Sequence, residues 1–372
     1  MKVAVVGANG QVGREVSLFL SVMGAEVIPI SRTELGGVFL ERCGLNCRYG
    51  SVGNEKEVKM LLDGCDLVVD FAHPNGLPSK IRKSVKSNID NISRYAPEGA
   101  SYVYISTISA FGMRHDDSKM KNYFFSRTTY AADKRYLERY ALAQQNKRDI
   151  YVLRLSQVHG ELQKVSQEFV AETACGKVSL PFSKDTESYT VFCYSLAEAM
   201  INIAQGKEKP GRYTFVSTPE WSWGEVYTYW ARQNGIEFEL TSLKNVNSEN
   251  IILRSILNIP KLLLAPILRL GIKHRQFILN YFLSKFPHIQ ERMRSEFLRR
   301  KAVTEIAEGK KEKEGRKFQI GKIPGKKLVS LSDSRLTMDK PTLAVRAIIQ
   351  AADPSALNVP SPKFKTEVRD EI

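Results

Sequence analysis

The sequence predicts an α/β fold built on a doubly wound parallel sheet, with a smaller, mostly helical C-terminal substrate domain. Three observations carry that prediction. Short apolar runs rich in β-branched residues recur along the first half of the chain. Stretches with helical spacing lie between them. A glycine-rich turn directly follows the first run. Strands that alternate with helices read as βαβ units, because each crossover helix brings the next strand back parallel to the last.

The first run, KVAVV (2–6), reads as a buried strand, since continuous apolar stretches suit a sheet covered on both faces. GANGQVG follows, and REVSLFLSVM then sets Val16, Leu18, Phe19, Leu20 and Met23 at helical spacing. AEVIPI is a second strand ending at Ile30. DLVVDFA (66–72), YVYIST (102–107) and IYVLRL (150–155) are further strands, and helices at 55–63, 78–94 and 126–145 lie among them. Beyond 155 the alternation loosens. Residues 188–206 read as an extended segment and then a helix, 211–217 as a strand and 220–234 as a helix. The domain reading is therefore a nucleotide-binding domain over 1–155, with 188–217 returning to it. A substrate domain with basic, leucine-rich helices over 156–330 and a polar, partly disordered tail over 331–372 complete it.

A chain of 372 residues is long enough for one large nucleotide-binding core plus a smaller unit. Its first apolar run stops after five residues, too short for the core of an export signal, and no apolar stretch reaches bilayer length. A cytoplasmic protein is expected. The five cysteines are an odd set, and Cys43 and Cys47 have no nearby Cys or His pair, so reduced thiols and no metal site are expected. A net charge of +15 favours an anionic partner without choosing among nucleotide, nucleic acid and acidic membrane.

Gly7, Gly10 and Gly13 form G-x-x-G-x-x-G between a strand and a helix. One glycine permits the tight turn, one lets the backbone approach a pyrophosphate, and one lets helix and strand pack closely; the helix N-terminus faces the phosphates. This is the nucleotide turn of a Rossmann-type sheet. An acidic residue after the second strand would accept the ribose hydroxyls of NAD; here Ser31 and Arg32 stand there, and Arg14 follows the turn. Two cations and a small hydroxyl suit a 2′-phosphate, which favours NADP, with NAD as the alternative.

Tyr130 and Lys134 make Y-x-x-x-K, a spacing that puts both side chains on one helix face. An ammonium beside a phenol lowers the phenol's pKa, and the phenol can then exchange a proton with a substrate oxygen. Upstream, Ser106, Thr107 and Ser109 cluster at the end of a strand, where hydroxyls face the cofactor crevice of such sheets.

VVGANGQVG, DFAH (70–73), Asn88, YISTISAFG (104–112), YAADK (130–134) and VLRLSQVHG (152–160) stand in order over roughly residues 1–235. Together they resemble the extended short-chain dehydrogenase/reductases, the NAD-dependent epimerase/dehydratase group. GANGQVGRE and SRTEL look like the dTDP-4-dehydrorhamnose reductase branch, which reduces 4-keto nucleotide sugars with NADPH. The chain departs from that branch at Ile108 and Ser109, where aspartate and tyrosine are usual, and at Phe111. The resemblance implies Tyr130 as acid/base, Lys134 as its helper and Thr107 as the hydroxyl orienting the substrate oxygen. It implies cofactor contacts at Gly7, Asn9, Gly10, Gln11, Val12, Gly13, Ser31, Arg32, Phe71, Ala72, His73, Asn88, Ser106 and Leu155, besides Tyr130 and Lys134. Substrate contacts fall on Thr107, Ser109 and His159. It further implies a nucleotide-linked sugar as substrate, 4-keto reduction ahead of epimerisation, and a homodimer through helices 78–94 and 126–145.

Residues 251–301 interleave leucines and isoleucines with cations such as Lys261, Arg269 and Lys273. One reading makes this a basic amphipathic surface for peripheral contact with anionic lipid; the other makes it core helices with a solvated basic face. The first would suit a steroid- or lipid-type hydroxyl dehydrogenase of the same superfamily. A catalytically idle NADP-binding regulatory module is a third possibility of a different class. Nucleic acid is not expected, because no aromatic–basic interleaving or reader motif is present.

Overall fold

In the computed structural model, residues 1–74, 78–110, 129–180, 182–242 and 325–357 are described. Seven of the strands form one wholly parallel sheet: β1 (Lys2–Val6), β2 (Glu26–Ser31), β3 (Arg48–Tyr49), β4 (Leu67–Asp70), β5 (Ser101–Thr107), β6 (Ile150–Leu155) and β7 (Gly211–Phe215). Their order is β7-β6-β5-β4-β1-β2-β3. Chain direction through the sheet reverses between β1 and β4, which opens a crevice at the strands' C-terminal ends. Val6 pairs with Ile30 on one side and Asp70 on the other, so the ends of β1, β2 and β4 reach that crevice together. The fold is the Rossmann-like, doubly wound α/β architecture.

The helices are α1 (Gln11–Val22), α2 (Glu34–Arg42), α3 (Glu55–Leu62), α4 (Pro78–Tyr95), α5 (Thr129–Leu142), α6 (Lys164–Thr173), α7 (Cys193–Ala204), α8 (Trp223–Gln233) and α9 (Asp339–Ala352). On one sheet face Leu61, Ile89, Ile92 and Leu137 from α3, α4 and α5 pack against Ala4, Ile28, Tyr102, Tyr104 and Val152. On the other, α1 and α7 pack together and α9 lies on α1. Burial on both faces explains why β1 reads as an unbroken apolar run rather than an alternating one.

The helix ends are capped by identifiable groups. Thr33 accepts from Gly36 N at the start of α2, and Asn54 from Lys56 N at the start of α3. Ser222 and Glu225 form a reciprocal capping box on α8. Arg148 donates to the carbonyls of Ser93 and Ala96 at the C-terminal end of α4, and to that of Ala100 just before β5. Beyond the main sheet, Val158–His159 pairs with Val191–Phe192, and Val191 N donates to Gln157 O at 2.9 Å. The segment 188–190 is thereby held beside the end of β6.

Two features differ from the sequence reading. Ser334–Thr337 and α9 are helical, where a polar, partly disordered tail over 331–372 was expected. Thr342, Val345 and Ile349 of α9 are buried at helical spacing, and Met338 just before it is 1% exposed. Pro341 sits in the first turn, where backbone N–H groups have no intrahelical acceptor to lose, so it does not break the helix. Second, one compact unit comprises Met1–Ser179, Lys184–Thr241 and Ile320–Ile372, so the expected boundary at 155 falls inside it. The other unit, Leu180–Ser183 with Ser242–Gln319, lies almost wholly outside the described residues, as does the basic stretch 251–301. No described helix is long and apolar enough to cross a membrane.

Candidate active site

The glycine turn lies between β1 and α1. Gly7 has φ +74°, and a Cβ there would stand 2.9 Å from Ala72 N, so both conformation and space demand glycine. Gly10 N donates to Gly7 O at 2.9 Å and closes the turn. A Cβ on Gly13 would stand 2.6 Å from Gly7 O, so this glycine lets α1 press against the strand end. Gly10, the N-cap of α1, supplies no side-chain acceptor, which leaves the first N–H groups of the helix free for an anion.

Over this turn lies a cleft of about 250 Å³ lined by Gly7, Asn9, Gly10, Arg32, Phe71, Ala72, His73 and Asn88, among others. The far wall is fixed by Asp70, whose Oδ1 accepts from Ala72 N at 2.8 Å and whose Oδ2 accepts from Tyr102 at 3.3 Å. Burial pushes the Asp70 carboxyl up to about 6. Arg32 is exposed at the end of β2 on the cleft wall. His73 turns its ring against Tyr130, with centroids 4.9 Å apart and planes at 88°. This contact carries the cleft to the phenol.

A second cavity of about 300 Å³ lies at the ends of β5 and β6. Thr107, Ile108, Ser109, Leu155, Gln157, Tyr189 and Trp223 are in its lining. Thr107 Oγ1 accepts from Ser109 N at 3.2 Å, an arrangement that points its own proton elsewhere. Tyr189 has φ +53°, a left-handed conformation rare for a large side chain and of the kind that accumulates at functional sites.

Residues 3–212 of the chain match the model of the NAD dependent epimerase/dehydratase family. The chain belongs to that family. Among solved structures it is similar to UDP-N-acetylglucosamine 4-epimerase from Bacillus cereus, with 19% identity over 68% of this chain and 88% of that one and a TM-score of 0.51. It is also similar to a dTDP-4-dehydrorhamnose reductase from Clostridium acetobutylicum, with 19% identity over 66% and 84% of the two chains and a TM-score of 0.47. At 19% identity the likeness to the Bacillus cereus structure speaks for the fold alone. No curated protein sequence matches the chain.

In this epimerase/dehydratase chain the Y-x-x-x-K pair lies on α5. Tyr130 is 45% exposed, enough for a substrate to reach it. Lys134 is 3% exposed; its ammonium donates to Ile105 O at 2.8 Å and lies 5.0 Å from the centre of the Tyr104 ring. Burial brings the Lys134 pKa down to about 8, against the pull of Asp70 and Glu138. The expected lowering of the Tyr130 pKa by Lys134 is not what this arrangement produces. Burial raises the phenol above its ordinary value, so Tyr130 is protonated at neutral pH.

Three further expectations are corrected. Ser106 was placed at the cofactor; it is 3% exposed and donates to Glu138 Oε2 at 3.1 Å. Side chains alternate along a strand, so Thr107 facing the cavity turns Ser106 to the opposite side, with Tyr102 and Tyr104. Ser31 was placed at the 2′-phosphate; it is 1% exposed and donates to Thr33 O at 2.9 Å. His159 was placed at the substrate; it is fully buried against Phe169, Phe192 and Trp230. Its Nδ1 accepts from Trp230 Nε1 at 3.2 Å, and burial lowers its pKa to about 3.

Other expected residues take structural positions around the turn. Gln11 donates weakly to Leu162 O at 3.5 Å, and Val12 is half-buried in the first turn of α1. Arg14 donates to Asn9 O at 3.2 Å and lies over Phe39, and burial lowers its pKa. Asn88 is 8% exposed at the cleft floor. Sequence reading quoted Asp70 and Gln157 within motifs without giving either its own role, and it missed Glu138, Tyr189 and Trp223. A carboxylate closing the otherwise apolar run LVVD was a usable signal for Asp70; the conformation of Tyr189 had none.

Proposed function

We propose that the chain is an NADP(H)-dependent oxidoreductase of a nucleotide-linked sugar, acting as a 4-keto reductase, with Tyr130 as its proton donor. The observation that carries the reading is the contact of His73 with Tyr130, which joins the cleft over the glycine turn to an exposed phenol. The residues fit the cofactor: the turn Gly7–Gly13 and the N-terminus of α1 would hold its pyrophosphate, and Arg32 would meet a 2′-phosphate. When bound, a nicotinamide nucleotide supplies or accepts hydride. Tyr130, protonated at neutral pH, gives its proton to the oxygen that becomes a hydroxyl. Thr107 orients that oxygen by donating its free hydroxyl proton to it. Lys134, one helical turn beyond Tyr130, holds its ammonium on Ile105 O. Trp223 and Tyr189 offer aromatic faces, and Ser156 and Gln157 offer polar groups, a lining suited to a polyhydroxylated ring.

Titration with NADPH and NADH, followed by assay of 4-keto dTDP- and UDP-sugars by nicotinamide absorbance, tests this. NADPH binds more tightly, and Tyr130→Phe lowers turnover by roughly 10²–10⁴-fold while cofactor affinity stays within about twofold. Turnover surviving in Y130F overturns the mechanism. Tightly retained NAD in the purified protein points instead to an epimerase that recycles its cofactor.

A further inference from the structure

The buried Lys134 ammonium stands against the Tyr104 ring, 5.0 Å from its centre. Asp70, Glu138 and Asp133 all act on the hydroxyl of that ring, which burial, together with these charges, pushes well above its ordinary pKa. Sorting the partners of these carboxylates isolates one of them. Asp133 takes Arg82 of α4 at 2.6 Å. Glu138 takes Arg154 of β6 at 2.9 Å and Arg212 of β7 at 3.3 Å. Asp70 is fully buried and makes no ion pair among the described residues. It pairs with Tyr104 across β4 and β5, so both side chains stand on the sheet face that α5 covers. Tyr102, two residues before Tyr104 on that face, donates to Asp70 Oδ2 at 3.3 Å. The other titratable groups around the lysine are Tyr102, Tyr104, Tyr130 and His73, and all are neutral at pH 7.

Resting on the acid role given to Tyr130 and its lysine, we propose that Asp70 is a positioning residue for that pair: its carboxylate is the buried counter-charge that keeps Lys134 an ammonium. A lone buried charge is costly, and two opposite charges in one buried place offset each other. The charge acts through space. The lysine's hydrogen bond goes to Ile105 O, and the carboxylate accepts from Ala72 N and the Tyr102 hydroxyl. Each group favours the charged form of the other. Burial pushes the Asp70 carboxyl up to about 6, and Lys134 draws it back down. Burial brings the ammonium down to about 8, while Asp70 and then Glu138 hold it up. Because Glu138 already has two arginines, Asp70 is the carboxylate whose charge is left for the lysine.

The test uses the full chain and Asp70→Asn, which keeps the size and an acceptor for Ala72 N but removes the charge. The first readout is the titration of Lys134, followed by NMR of isotope-labelled lysine side chains, with the signal assigned by its loss in Lys134→Met. In D70N the lysine loses its proton about one pH unit lower than in wild type. The second readout is the pH profile of kcat/KM for 4-keto nucleotide sugars with NADPH. The ratio of D70N to wild type falls about fivefold between pH 6 and pH 8, because the variant loses its ammonium within that range. An unchanged lysine titration in D70N overturns the proposal. A ratio that is the same at both pH values does so too, because it assigns Asp70 to the shape of the cleft wall. If D70N does not fold, Asp70→Ser, which also keeps an acceptor and no charge, gives the same contrast. Wild-type protein that turns over no 4-keto sugar overturns the proposed reaction instead, and the lysine titration still decides whether Asp70 is the counter-charge.

Discussion

Glu138 and Glu15 are both fully buried, on helices that cover opposite faces of the sheet, and their surroundings could hardly differ more. Glu138 takes a fork from Arg154 at 2.9–3.2 Å, an ion pair from Arg212 at 3.3 Å and the Ser106 hydroxyl. It lies one helical turn beyond Lys134 and two beyond Tyr130, so this cluster anchors the helix that carries the phenol. Glu15, on the back of the glycine-turn helix, has no ion pair among the described residues. It accepts from Glu161 N at 2.6 Å, Leu162 N at 3.0 Å and Gln163 Nε2 at 2.8 Å. Burial pushes its carboxyl up to about 7, and the neighbouring Glu161 adds to the effect. A buried carboxylate with cations is a rigid brace. One held by amides and the Cys193 thiol, with no cation, is a group that titrates near neutrality.

Removing a brace cation separates the two regions most sharply. Arg154→Met leaves Glu138 buried with Arg212 as its remaining cation, and a loss of about 3 kcal/mol in urea unfolding is expected. A loss below about 1 kcal/mol would mean that the fork does not hold the brace. The next effect depends on pH. The folded carboxyl of Glu15 keeps its proton up to about pH 7, whereas its ordinary pKa is 4.5. Between those values the folded chain binds more protons than the unfolded one, so wild-type stability falls as pH rises through that window. Glu15→Gln does not titrate. Relative to wild type it gains on the order of 2–3 kcal/mol between pH 4.5 and pH 8, measured by urea unfolding at both. A difference independent of pH would place Glu15 with the braces. The smallest effect tests the contact of α9 with Glu161. Arg346 of α9 pairs with Glu161 at 2.8–3.2 Å and donates to Gln233 O at 2.7 Å. Arg346→Met loses about 1–2 kcal/mol, because this partly buried pair keeps some solvent.

The strands and the turn were legible because a doubly covered sheet imposes continuous apolar runs. KVAVV became Lys2–Val6, YVYIST became Ser101–Thr107, and IYVLRL became Ile150–Leu155. Helix 78–94 was equally plain and spans Pro78–Tyr95. The glycine spacing announced a close approach, and the structure supplies the partners, Ala72 and the Gly7 carbonyl. What sequence could not supply was distance in space. His159 looks like a ligand in VHG, yet Phe169, Phe192 and Trp230 surround it from 10 to 71 residues away. Ser106 was a different case, since strand alternation alone separates it from Thr107. For α9, the polar composition of 331–372 hid the helical spacing of Thr342, Val345 and Ile349.

The packing of α9 on α1 also sets a timetable. During synthesis at ~5–20 residues per second, α1 leaves the ribosome tens of seconds before α9 exists. Until then the surface that α9 will cover faces water and its neighbours. An early helix thus waits on a late one for its cover, and the nascent chain keeps an open apolar face on the back of its glycine turn until α9 is made.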